Sequence, residues 1–257
     1  MPIADAYDCF LLDLDGVLFR LDEPVSGAAE TLHTLRRAGK RLSFVTNNSA
    51  RTPEEIAAKL EGLGIRAAPD EVETSALATA DMLAARGVGS AFVIGERGIR
   101  DALRAKGVRV VDGDPGRADA VVVGWDRAAD YSSLRTASLL VQRGAALVAT
   151  NADPSYPAPD GAWPGAGALL AVVTTTTGAT PEVVGKPSPL LLVAARERAG
   201  GGRALVVGDR FETDIAGAEA LGWDSLLVLS GIARREDLAS SSLQPTYVGE
   251  DVRALLD

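Results

Sequence analysis

Short, largely apolar runs that end abruptly in polar or acidic residues recur along the chain, and they restrict its fold more than any other feature. Cys9-Phe10-Leu11-Leu12 ends at Asp13-Leu14-Asp15-Gly16, and Leu42-Ser43-Phe44-Val45 ends at Thr46-Asn47-Asn48-Ser49. Near the other terminus, Ala204-Leu205-Val206-Val207 ends at Gly208-Asp209, and Leu226-Leu227-Val228-Leu229 follows. A run this short, without polar alternation, predicts a strand covered on both faces, as in a parallel sheet. Helical patterns separate the runs. Leu32 and Leu35 lead to a stop at Gly39, and Thr52-Pro53-Glu54-Glu55 opens a helix carrying Ile56, Leu60 and Leu63 up to Gly64. Pro at the first helical position and Glu55 three residues after Thr52 form a helix-start signature. Strand and helix in alternation predict an α/β fold around a parallel sheet.

The rhythm continues in the middle of the chain with different content. Ala91–Ile94, Val108–Val111, Ala120–Val123 and Ala146–Ala149 are predicted strands, with helices around Ile99/Leu103 and Leu134/Val141. Asn151–Gly161 reads as a loop and Gly165–Thr177 as a helix. After Gly185-Lys186-Pro187 come a helix over Pro189–Ala199 and another from about Thr213 to Leu221.

Composition removes several kinds of chemistry. The 26 Lys and Arg against 35 Asp and Glu give a net charge of −9, so a basic nucleic-acid surface is not expected. With one cysteine, Cys9, no intrachain disulfide forms, and with one histidine, His33, a His-rich metal site or a Ser-His-Asp triad is hard to build. No apolar run reaches the roughly 18 residues of a membrane span, and Met1–Tyr7 lacks signal-peptide character. A cytoplasmic protein without a nucleic-acid or membrane partner is expected. P-loop, dinucleotide and nucleophile-elbow signatures are missing.

What remains is carboxylate chemistry. Asp13 and Asp15 share one side of an extended segment at the carboxyl edge of a predicted parallel sheet, where open α/β sheets bind ligands. Asp209 and Asp214 follow a second buried strand. Two unit charges about 4 Å apart repel by roughly 4 kcal/mol at an effective dielectric near 20. Converging carboxylates therefore call for a counter-charge, and all-oxygen ligation points to Mg²⁺. Lys186 and Thr46-Asn47-Asn48 supply an ammonium, a hydroxyl and amides, which with the cation describe a receptor for a phosphate dianion.

These four segments, in this order, resemble the motifs of the haloacid dehalogenase-like superfamily. The Thr-Asn-Asn form of the second motif, the large insert before Lys186, and Asn151-Ala152-Asp153-Pro154 followed by Pro164-Gly165-Ala166-Gly167 narrow the resemblance to the class IIA, NagD-like and p-nitrophenylphosphatase-like branch. The resemblance implies a Rossmann-like parallel-sheet core over residues 1–78 and 182–257, with an inserted α/β cap domain over 79–181. It implies a Mg²⁺-dependent phosphatase acting on a small phosphomonoester through an aspartyl-phosphate. Asp13 would be the nucleophile and Asp15 the acid and base. Mg²⁺ would lie on Asp13, the Asp15 carbonyl and Asp209, with Asp214 acting through a bound water or from behind these ligands, and the phosphoryl group on Thr46, Asn47, Asn48 and Lys186. Asn151, Asp153 and Tyr156 would contact substrate from the insert, and a homodimer formed through the cap would suit the resemblance. A phosphotransferase or mutase using the same intermediate, and a module that only binds a phosphometabolite, are the competing expectations.

Overall fold

The computed structural model describes residues 1–158 and 160–257, with the side chain of Pro157 left out. Its contacts divide the chain into two units: Met1–Thr46, Pro53–Glu73 and Lys186–Asp257 form the first, and Asn47–Thr52 with Thr74–Gly185 the second. The chain therefore passes between units after Thr46, Thr52, Glu73 and Gly185, whereas the bounds implied by the resemblance have two passages, at 78/79 and 181/182.

The first unit is built on a six-stranded sheet ordered Tyr247–Gly249, Asp224–Val228, Ala204–Gly208, Cys9–Leu12, Arg41–Thr46, Val72–Thr74. Cys9–Leu12 lies at its centre, parallel to both neighbours, with Leu12 opposite Val207 on one side and Phe44 on the other. All four of its side chains are buried, as the unbroken apolar run requires. Covering such a side chain is worth about 1.5–3 kcal/mol, so the register of this strand is firmly held. The helix Ala28–Arg37 ends just before the predicted stop at Gly39, and Pro53–Gly62 starts at the predicted Pro53 and ends just before Gly64. Phe10, Leu12, Leu32, Leu35, Phe44 and Leu60 meet in one core.

The second unit has its own five-stranded parallel sheet, ordered Glu182–Val183, Ala146–Ala149, Ala120–Val123, Ser90–Ile94, Arg109–Val111. Its core gathers Phe92, Val121, Val123, Leu140, Leu147 and Val173. The stretch read as a loop is corrected here: Ser155–Ala158 and Gly161–Pro164 pair antiparallel as a hairpin. Pro159, inside that stretch, lies outside the described residues. The helix expected from Thr213 also differs, because Phe211–Ile215 forms a π-turn before a short α-helix over Ala216–Ala220.

Candidate active site

Parallel strands deliver their following residues to one edge, and the acidic segments after Cys9–Leu12 and Ala204–Gly208 meet there. The backbone N–H of Asp13 donates to the Val207 carbonyl at 2.8 Å, so the two strands stay paired to their last residues. Carboxylate oxygens of Asp13, Asp209 and Asp214 lie within 4.8 Å of one another. Lys186 stands among them, its Nζ donating to Asp13 Oδ1 and to Asp214 Oδ1, each at 2.6 Å. Lys186 is 4% exposed and the Asp214 side chain 1%, whereas Asp13 keeps 15% of its side chain open.

Glycines make this density of charge sterically feasible. Gly16 has φ +82°, and a Cβ there would fall 2.3 Å from Asp209 Oδ2. Cβ atoms at Gly231 and Gly208 would lie 2.0 Å from Asp209 Oδ2 and 2.2 Å from Asp214 Cβ. Asp209 Oδ2 accepts from the Ile232 N–H at 2.8 Å, and Ser230 Oγ donates to the Gly16 carbonyl at 2.6 Å. The Ser230–Ile232 segment thus ties the two acidic loops together. Sequence reasoning missed it: its only signal is a Ser-Gly pair after an apolar run. Asp214 sits in the π-turn, a distortion frequent at functional sites, and its Oδ2 accepts from the Arg210 N–H at 3.2 Å.

The electrostatics follow from this crowding. Burial pushes the Asp13 carboxyl up to about 7, with Lys186 pulling it down and Asp214 and Asp209 adding to the rise. Burial, then Asp214, raises Asp209 to about 6. Burial opposes the charge on Lys186, but Asp13 and Asp214 outweigh it and hold the ammonium above the ordinary lysine range. Counted as fully ionised, three carboxylates exceed the one ammonium by two charges, and burial together with this excess raises Asp13 and Asp209. Asp209 Oδ1 is buried with no hydrogen-bond partner, a donor oxygen suited to a hard divalent cation. Asp15 is exposed and outside the carboxylate cluster. Desolvation raises its carboxyl above the ordinary range, with Lys59 and Arg210 acting in the opposite direction.

Thr46 closes the strand beside Cys9–Leu12, almost fully buried. The next residues belong to the second unit. Asn48 Oδ1 accepts from the N–H of Ala50 at 2.9 Å and of Arg51 at 3.3 Å, a local turn. The Asn47 carbonyl accepts from Ser75 Oγ at 2.7 Å and Asn151 Nδ2 at 2.8 Å, and Asn47 Nδ2 donates to Asp153 Oδ2 at 3.3 Å. Asn151 and Asp153 are therefore brought to Asn47. Tyr156, on the hairpin, stacks on Trp125 with ring centroids 4.1 Å apart, and Trp125 Nε1 donates to the Pro164 carbonyl on the other hairpin strand.

Residues 10–109 match the family described as haloacid dehalogenase-like hydrolase, and residues 183–255 match a second, HAD-hydrolase-like family. The D-glycerol 3-phosphate phosphatase of Mycobacterium tuberculosis is 41% identical over 98% of this chain and 72% of its own length. The acid sugar phosphatase of Staphylococcus saprophyticus is 38% identical over 97% of both. Among solved structures, the M. tuberculosis glycerol phosphate phosphatase in complex with magnesium superposes with a TM-score of 0.95 at 40% identity, covering all of this chain and 78% of that one. The 4-nitrophenylphosphatase of Thermotoga maritima gives 0.92 at 32% identity, covering 99% and 98%. With likeness of this extent and the four motifs in place, the chain belongs to the haloacid dehalogenase-like hydrolases, in their class IIA, NagD-like branch.

Proposed function

We propose that this protein is a Mg²⁺-dependent phosphatase that hydrolyses a small-molecule phosphomonoester through an aspartyl-phosphate on Asp13. The observation that carries the reading is the Lys186 ammonium held 2.6 Å from both Asp13 and Asp214, with Asp209 alongside. Asp13 is the partly open member of that group. Its free oxygen attacks phosphorus while the ester oxygen departs. Asp15 gives that oxygen a proton, then takes one from the water that cleaves the acyl phosphate. A carboxyl raised by desolvation is better suited to both transfers than an ordinary aspartate. Thr46, Asn47 and Asn48 hold the phosphoryl oxygens, and Lys186 balances charge between them and Asp13.

Mg²⁺ would be held by Asp13, Asp209 and the Asp15 carbonyl, with Asp214 acting through a bound water or behind them through Lys186. The excess of carboxylates over ammonium and the unpartnered Asp209 Oδ1 fit it. When bound it neutralises the charge that otherwise keeps a phosphate dianion from approaching a carboxylate. In this reading the second unit serves as the cap that excludes bulk water and selects the leaving group, and Tyr156 on its hairpin is its substrate-contact residue. The relatives' substrates make glycerol phosphate and sugar phosphates the first candidates. A cytoplasmic setting and a homodimer formed through the cap complete the reading. Among the described residues no helix is long and apolar enough to cross a membrane.

The test is inorganic phosphate release from glycerol 3-phosphate, sugar phosphates and p-nitrophenyl phosphate, with Mg²⁺ or with chelator and no added acceptor. Release that needs Mg²⁺ and vanishes in a folded Asp13→Asn variant is expected. Full activity in that variant would overturn the assignment, and turnover only with an acceptor alcohol would make the protein a phosphotransferase.

A further inference from the structure

Asn151 and Asp153 were expected to meet substrate, yet their polar groups are engaged within the second unit. Asn151 Oδ1 accepts from the Asp153 N–H at 3.1 Å, and its Nδ2 donates to the Asn47 carbonyl at 2.8 Å. Asn47 Nδ2 then donates to Asp153 Oδ2 at 3.3 Å. The three residues form a closed hydrogen-bond circuit, with Asn151 only 4% exposed. The second lone pair of the Asn47 carbonyl is taken by Ser75 Oγ at 2.7 Å, from a fully buried serine. Gly185 presses against the same residue: a Cβ there would lie 2.6 Å from Asn47 Oδ1 and 2.4 Å from the Thr150 carbonyl. Asn47 is thus fixed by its backbone, its amide and the bulk of a neighbouring chain segment.

Fixing that carbonyl has a geometric result. The Asn47–Asn48 peptide is trans, and in a planar trans peptide the N–H points away from the C=O. Two donors locked onto the Asn47 carbonyl therefore set the direction of the Asn48 N–H, in the segment immediately after Thr46. We propose that Asn151, with Ser75, is a positioning residue that fixes the Asn47–Asn48 peptide for its role in phosphoryl binding, rather than a residue that touches the leaving group. The inference rests on the phosphatase reading for the role of Thr46–Asn48, and it deepens that reading by assigning the cap's Asn151 to the group common to every substrate.

The two roles separate by leaving group. Asn151→Ala and Ser75→Ala are compared with the unaltered protein on glycerol 3-phosphate and p-nitrophenyl phosphate, with inorganic phosphate as competitive inhibitor. Misplaced binding groups cost roughly ten- to a hundred-fold. The expected result is a loss of that order in kcat/KM, equal for both esters, with the Ki of inorganic phosphate rising alongside. Because the two donors share one acceptor, the double variant should lose less than the product of the single losses. A loss confined to glycerol 3-phosphate with Ki unchanged would make Asn151 a leaving-group contact and overturn the proposal. A lowered melting temperature with unaltered constants for the folded fraction would also overturn it, leaving a structural role only. If Asn151→Ala fails to fold, the Ser75→Ala arm decides in the same way. Should the unaltered protein hydrolyse no ester, the phosphatase reading fails on its own. Calorimetric binding of inorganic phosphate then still tests the positioning role, with weaker binding in the variants expected and unchanged binding overturning it.

Discussion

Lys186 Nζ and Asp214 Oδ1 are 2.6 Å apart, both almost wholly buried, although one residue follows the last passage out of the second unit and the other sits in a π-turn. Lys186 also serves Asp13, so one ammonium compensates two carboxylates. Removing one partner of a buried ion pair costs about 3–5 kcal/mol. Lys186→Met should therefore lose stability of that order in chelator at pH 8, as measured by denaturant unfolding. Mg²⁺ should restore part of it, while phosphatase activity falls at least a hundred-fold. A stability change under about 1 kcal/mol, typical of solvent-exposed pairs, would contradict the burial of this group.

Gly16 offers a sharper steric test. Its φ of +82° disfavours any side chain, and a Cβ would collide with Asp209 Oδ2. Left-handed backbone alone costs a non-glycine residue about 1–2 kcal/mol. Gly16→Ala should weaken apparent Mg²⁺ affinity about ten-fold or more, read from the Mg²⁺ dependence of activity, because Asp209 must turn away. An unchanged Mg²⁺ requirement would mean that Asp209 is not a ligand.

Acid and metal should compete for the same oxygens. Burial and the neighbouring carboxylates push Asp13 up to about 7 and Asp209 up to about 6, above the ordinary carboxylate value. Raised pKa values mean that folding favours the protonated forms. The stability they contribute is full below about pH 4 and lost as pH climbs through 6 to 7. Cation binding must displace those protons. The Mg²⁺-induced rise in melting temperature should accordingly grow between pH 5 and pH 8 in a thermal-shift series. An equal rise at both ends would sink the prediction.

The hairpin depends on Trp125, which stacks on Tyr156 of one strand and donates to Pro164 of the other. An aromatic pair contributes about 0.5–1.5 kcal/mol beyond area. In Trp125→Ala, amide exchange across 155–164 should accelerate about ten-fold while the Cys9–Leu12 strand keeps its protection. Faster exchange in both places would indicate general loosening instead.

Asp13, Asp209 and Lys186 were legible because each acid follows a strand whose burial is written in its own residues, and because Gly-Lys-Pro stands between them in family order. Asp214 could be guessed from its five-residue separation from Asp209. The Ser230–Ile232 segment could not, since a serine and a glycine after a strand mark turns of every kind. The hairpin escaped detection because Pro157 and Pro164 interrupt any strand pattern. The partners of Asn151 and Asp153 were hidden for another reason: Asn47 lies 104 residues before Asn151, and only tertiary folding pairs them.

The four passages of the chain have a practical meaning for engineering. Replacing residues 74–185 with the corresponding piece of a relative would leave Asn47 behind while removing Ser75, Asn151 and Asp153, the groups that hold it. A chimera that exchanges this module should carry 47–52 from the same donor as 74–185, so that Asn47 and the groups holding it are transplanted together, as two pieces of chain rather than one.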